Sequence, residues 1–179
     1  GKLIINNENK PHDTSQLYGI DYAHMTLVDI DIEADSLTVR GWDIRSKNVD
    51  IHILHQNGFE LKTLSADNVL ISSDSINLVN LELLTAESHI QNSVELEFSG
   101  FNDFKSFADS VVFSMPAANI RLHINDILSV LPTLGKVNFF ADNKDKAINV
   151  TGNINGYVNR LRVLDMKASM GGITLEGDF

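Results

Sequence analysis

The chain is 179 residues long and 43% hydrophobic, which suits one globular domain or a slice of a larger one and argues against intrinsic disorder. Lys plus Arg total 14 against 24 Asp plus Glu, a formal net charge of −10, so phosphate backbones and anionic lipid headgroups are repelled at long range and nucleic-acid or electrostatic membrane binding is disfavoured. No apolar run approaches the ~20 residues needed to cross a bilayer, and with no Cys a disulfide framework, thiolate catalysis and a cysteine zinc site are excluded.

In chain order the dominant signal has period two. It runs through Asp29–Ala34, Val49–Ile53, Val94–Phe98, Ile120–Ile124, Leu164–Ala168 and Ile173–Glu176, with apolar residues on one parity and polar residues on the other. Half-buried strands are written this way, and the polar second face argues for an antiparallel sheet with one side in water. Clusters at Ala34-Asp35-Ser36, Gln56-Asn57-Gly58, Ser72–Ser75, Asp142–Lys146 and Ser169–Gly172 read as the turns between strands. Only Asn102–Asp109 and Asn125–Leu131, the latter stopped by Pro132, carry apolar residues at helical spacing behind a capping residue. The expectation is an all-β chain, an elongated and curled antiparallel sheet, with one or two short helices that plug its ends.

A loose internal frame recurs: Leu27, Ile30, Ile32, Ala34; then Leu78, Leu81, Leu83, Thr85; then Leu161, Leu164, Met166, Ala168; with a shorter copy at Leu61, Leu64, Ala66. Repeated hairpins that add to one growing sheet build a quasi one-dimensional β structure.

Chemistry is expected to be absent. His52 and His55 are three apart, so a strand puts them on opposite faces, and the other histidines, His12, His24, His89 and His123, are scattered and read as strand-surface residues. Asp29, Asp31 and Glu33, like Glu95 and Glu97, read as solvating an outer face. Asp142–Asp145 lacks the Gly and distal Glu of a calcium loop and reads as an acidic hairpin tip. No nucleophile elbow, phosphate loop or zincin motif occurs. No catalytic residue, metal or cofactor is therefore expected, and no enzyme.

The segment Ala147–Gly156, followed by Val158–Met166 and Gly171–Gly177, resembles the repeat of the TamB (translocation and assembly module) family in its Bacteroidetes-type form, within the wider AsmA-like, repeating β-groove group. Phe101–Phe104, Ile120–Gly135 and Gly58–Ser65 share the likeness, which extends from about Tyr22 to Phe179. The resemblance implies a non-enzymatic periplasmic portion of an inner-membrane-anchored protein, with an apolar groove for phospholipid acyl chains and a role in outer-membrane biogenesis. It also implies a partner among outer-membrane barrel assembly proteins of the BamA superfamily. On this reading residues 1–179 are a single β-rich segment excised from a longer chain, because Gly1 stands where Met would and the last eight residues read as a strand in progress. Strand parity and the resemblance together assign the groove to Ile30, Ile32, Ile51, Ile53, Leu81, Leu83, Val94, Leu96, Phe98, Leu164, Met166, Ile173 and Leu175. The alternative is a closed β-sandwich binding or adhesion module in which these residues are an ordinary core. One Trp and three Tyr supply few stacking platforms for a sugar binder.

Overall fold

The structure, a computed structural model, describes residues 1–11, 20–21, 23–55, 58–130 and 132–179. His12, Tyr22, Leu131 and the turn expected at Gln56-Asn57 lie outside the described residues. The strands are β1 (Lys2–Asn6), β2 (His24–Glu33), β3 (Ser36–Arg40), β4 (Asp43–His55), β5 (Glu60–Ile71), β6 (Ser75–Val79), β7 (Glu82–Leu84), β8 (His89–Gln91), β9 (Val94–Glu97), β10 (Val112–His123), β11 (Ala147–Tyr157), β12 (Arg160–Met170) and β13 (Ile173–Gly177). All pair antiparallel in one sheet ordered β1-β2-β4-β5-β6-β9-β10-β11-β12-β13, with β3 beside β4 and with β7 and β8 filling the gap between β5 and β10. The all-β, antiparallel, curled sheet is what period two indicates.

Register shows that several breaks between strands are not turns. β2 and β3 both lie along β4, with Glu33 opposite Asp50 and Ser36 opposite Lys47, so Ala34–Ser36 is an interruption within one long strand. The turn that reverses the chain there is Gly41-Trp42. Likewise β6 and β7 lie end to end along β5, interrupted at Asn80, and β8 and β9 continue each other across Asn92-Ser93.

These interruptions line up across the sheet. Asn48, Asn80, Ala117 and Asp165 have φ of 46°, 51°, 49° and 52°, and Asn92 has φ of 107°. Left-handed backbone favours Gly, Asn and Asp, so the Asn/Asp content of these strands has a structural cause. Short hydrogen bonds join successive members. Asn48 Nδ2 donates to Asp35 Oδ2 (2.5 Å), Asn80 Nδ2 to Asp67 Oδ2 (2.7 Å), and the Asn80 N–H to Ser93 Oγ (3.0 Å). Farther along, Asn92 Nδ2 donates to the Ala117 carbonyl (2.5 Å), the Ala117 N–H to Asn153 Oδ1 (3.0 Å), and the Asp165 N–H to Asp178 Oδ1 (2.9 Å). At Gly152 (φ 142°) a Cβ would meet the Leu164 carbonyl oxygen at 2.8 Å, so the bulge there admits only glycine. The result is a crease about which the sheet bends, with its polar hinge on the outer face.

Crossing the crease shifts the inner row by three residues instead of two. The inward side chains step from Ala34 to Leu37, Ser46 to Val49, Ala66 to Val69 and Leu78 to Leu81, and from Met115 to Ala118. The recurrent frame of the sequence contains this step at Leu78-x-x-Leu81. At the fold's centre Leu81, Val94, Met115, Ala118 and Ile154 form the sealed core.

Among the described residues, helical turns are confined to two connections. A 3-10 segment Phe101–Ser106 runs into α1 (Phe107–Ser110) between β9 and β10; α2 (Ile124–Val130), a 3-10 turn Pro132–Lys136 and α3 (Asn138–Asp142) join β10 to β11. The helical region after β10 therefore outlasts the stop expected at Pro132. Five-residue α3, with no side-chain cap on its first turn, is too short to show helical periodicity in the sequence. Asp142–Lys146 consequently leads from α3 into β11 and is not a hairpin tip.

Candidate functional site

Inside the crease lies an apolar trough with a hollow of about 300 Å³. One flank supplies Ile32, Ala34, Val49, Ile51, Leu64 and Ala66; the other supplies Leu37, Val69 and Leu78, with Leu81 beside the crease and Ser46 and Ser65 as the polar members. The Ser46 hydroxyl donates to the Ser36 carbonyl at 2.7 Å, so it presents no unmet donor to the hollow. The trough is open on the β2–β3 side, where Ile32 is 63% and Leu37 68% exposed, and closes toward the centre, where Leu81 is 8% exposed. A second hollow of about 190 Å³ lies at the far side of the sheet, lined by Phe139, Ile148, Ala168, Ser169, Met170, Ile173 and Leu175.

Both mouths of the curl carry a plug. At one, Trp42 of the β3–β4 turn meets Phe101 (centroids 5.2 Å apart), which packs on Phe98 (5.3 Å), and Phe98 packs on Phe104 (5.0 Å). β4 and β9 are separated in the sheet by β5 and β6, so this contact is a direct consequence of the curl. At the other mouth, α2 buries Ile124 and Leu128, and the Ile20 N–H donates to the Ser129 carbonyl at 2.7 Å. A polar staple fixes α2: the Thr85 and Ser88 hydroxyls both donate to Asp126 Oδ2, at 2.5 and 2.6 Å, while the His123 N–H donates to Ser88 Oγ at 2.9 Å.

The residues assigned to the groove separate into distinct places. Ile32, Ile51 and Leu81 line the main trough. Leu83 stands between Leu64 and Ile90 in the cross-strand pairs, Ile53 opposite Leu61, and Ile30 just beyond the bulge at Asp29. Val94 is in the sealed core with Leu96 against it; Phe98 belongs to the aromatic plug. Ile173 and Leu175 line the second hollow, 73% and 50% exposed. Leu164 pairs with Asn153 and Val163 with Ile154, so Val163, not Leu164, is on the core row, and Met166 resumes beyond the bulge at Asp165. Leu37, Val49, Leu64, Val69 and Leu78 line the trough outside that assignment. Val49 shares the parity of Ile51, and Leu64 and Leu78 stand in the recurrent frame, whereas Leu37 and Val69 lie across the crease, where the parity shift hides them; the apolar-x-x-apolar step around Asp67-Asn68 is the signal that finds Val69.

Two histidines depart from the strand-surface expectation. His24 is buried between Asp21 Oδ2 (3.0 Å) and the Asn7 carbonyl (3.1 Å), and His55 is 4% exposed on the row of Ile51 and Ile53. His89 contacts Glu82 at 2.8 Å and His123 contacts Glu87 at 3.0 Å. Among the described residues no group of three or more His, Asp or Glu is placed to hold a metal ion, and no helix is long and apolar enough to cross a membrane. On the outer face Lys167 pairs with Glu176 at 2.8 Å. That hydrogen bond and charge hold the carboxyl below its ordinary range and the amine above its own.

Comparison of the chain with protein-family models, with curated proteins and with solved structures finds no match.

Proposed function

We propose that this chain is a non-enzymatic β-groove segment that holds phospholipid acyl chains, the function that the likeness to TamB and AsmA-like proteins implies, with a periplasmic location and a barrel assembly partner following from the same likeness. One observation supports it most: an apolar trough, open along one side, whose flanks belong to two arms of a single curled sheet. Its volume stands at the lower limit of small-molecule pockets, which run from about 300 Å³ upward. Each acyl CH₂ leaving water contributes about 0.8 kcal/mol, so a chain is held without polar contacts and headgroup selectivity is weak.

The openness of the trough makes the proposal testable without unfolding the protein. Ile32 and Leu37 are more than half exposed, so Ile32→Asp and Leu37→Asp place a carboxylate in water when the trough is empty and against an acyl chain when it is filled. Titration of the purified chain with a fluorescent diacyl phospholipid should show saturable binding that both substitutions abolish and outward Asp50→Ala does not. Binding unaffected by Ile32→Asp and Leu37→Asp, or none by the unaltered chain, favours the closed binding module instead.

A further inference from the structure

The main trough has a floor of short side chains. Across the strands Val49 stands opposite Ala66, Ser46 opposite Val69, Val69 opposite Leu78 and Leu78 opposite Val94. Where the hollow lies, the residues beside the crease include Ala34, Ser46 and Ala66. Toward the centre Leu81, Val94 and Met115 stand beside the crease instead, and the space is filled. The hollow is therefore the room that three short side chains leave. Its two walls are held at a set bend on the outer face, where Asn48 donates to Asp35 at 2.5 Å and Asn80 to Asp67 at 2.7 Å.

The lining residues come from β2 with β3, then β4, β5 and β6, four neighbouring places in the sheet, so three gaps of ~4.8 Å make the trough about 14 Å long. A hollow of about 300 Å³ spread over that length has a cross-section of about 21 Å². A dry apolar cavity of about 150 Å³ holds benzene, which allots about 25 Å³ to each carbon. An extended alkyl chain built on C–C bonds of ~1.5 Å advances about 1.25 Å per carbon. Its own cross-section is therefore about 20 Å². One chain fills the trough from wall to wall, and two side by side need twice the width. By volume and by length alike, the hollow takes about eleven or twelve carbons of that chain.

We propose that the trough is single-file: it takes one acyl chain, so a lipid with one chain is a complete ligand and the second chain of a diacyl lipid stays outside. This rests on the acyl-chain reading of the trough and adds the number of chains. The bend and the floor set the cross-section, which is the same however far the trough runs.

Lysophosphocholines with chains of eight to sixteen carbons, each below its micelle concentration, can be titrated into the chain and followed by calorimetry. Affinity should rise about fourfold for each added CH₂, up to about twelve carbons, and then level off. Dihexanoyl phosphocholine carries the same twelve chain carbons as dodecanoyl lysophosphocholine, divided between two chains. It should bind at least about a hundredfold more weakly, because one chain of six carbons enters. Dodecanoate offers the single chain on a carboxylate. Tight binding of it or of the lysolipid supports the proposal, and the tighter of the two identifies a fatty acid or a lysophospholipid as the source of the chain. Ala66→Leu adds three carbons to the floor and should lower affinity for dodecanoyl lysophosphocholine about fiftyfold with circular dichroism unchanged; the chain-length series needs no variant. Dihexanoyl phosphocholine binding within about tenfold of the dodecanoyl lysolipid, or affinity still climbing at sixteen carbons, overturns the single-file trough and leaves acyl-chain binding standing. Binding of none of these lipids overturns both.

Discussion

Asn80 stands in the middle of the strand formed by β6 and β7 with φ of 51°, its amide hydrogen-bonded to Asp67 at 2.7 Å and its N–H to Ser93 Oγ at 3.0 Å. Asn80→Ala keeps the N–H and the β-carbon but loses the short polar side chain whose local hydrogen bonding offsets the steric cost of left-handed backbone, up to about 1–2 kcal/mol, and loses the bond to Asp67, worth roughly 0.5 kcal/mol where both partners are exposed. The loss is at most about 2.5 kcal/mol. Asn80→Gly loses the same bond without the steric term, and its added chain entropy costs roughly 0.5 kcal/mol, so it should cost about 1 kcal/mol. Ala117 supplies the opposite sign: it carries a β-carbon and no polar side chain at φ 49°, and Ala117→Gly should stabilise by about 0.5–1.5 kcal/mol as relief of strain outweighs entropy. Urea unfolding followed by circular dichroism measures all three. Equal losses for Asn80→Ala and Asn80→Gly, or destabilisation by Ala117→Gly, would refute the claim that left-handed backbone creases the sheet.

Asp126→Ala takes the acceptor from the buried Ser88 hydroxyl (2% exposed) and leaves that of Thr85 (4% exposed) only the Ser88 carbonyl at 3.5 Å, and should lower stability by about 1–3 kcal/mol with Asp126→Asn costing less, as urea midpoints will show. Met115→Ala, at 1% exposure, should cost about 2–5 kcal/mol, whereas Ile32→Ala at 63% exposure should stay within about 0.5 kcal/mol; equal losses in thermal melts would mean the trough is sealed. Glu176 has its carboxyl pKa lowered by Lys167, so whatever the pair contributes is present above the ordinary carboxylate range and lost as pH falls through the folded value. Since both groups are fully exposed and screened, Glu176→Gln should leave the acid-unfolding midpoint of the isolated monomer unchanged in physiological salt.

Alternation made the strand content and the antiparallel class legible: Val49–Ile53 lies in β4 and Ile120–His123 ends β10. It failed where the chain changes parity. Ala34-Asp35-Ser36 has the composition of a turn, yet the flanking residues both pair with β4; there Asp35 accepts the side-chain amide of Asn48, the left-handed residue of the partner strand, and Asp serves such an interruption as readily as a hairpin. Alternation puts Leu164 on the inner row for the same reason, the bulge at Asp165 falling one residue beyond it. The burial of His24 and His55 depends on segments far apart in sequence, Asn7 and Leu27 among them, and local spacing carries no record of that.

A photoreactive amino acid at Leu37 or Val69, on the trough's wall, and at Lys47 or Asp50, on the outer face, tests the central claim most directly. Illuminated with phospholipid vesicles, the first pair should yield lipid adducts of the chain by mass spectrometry and the second pair none. Adducts of equal yield from both faces, or none from the trough, would contradict an acyl-chain groove.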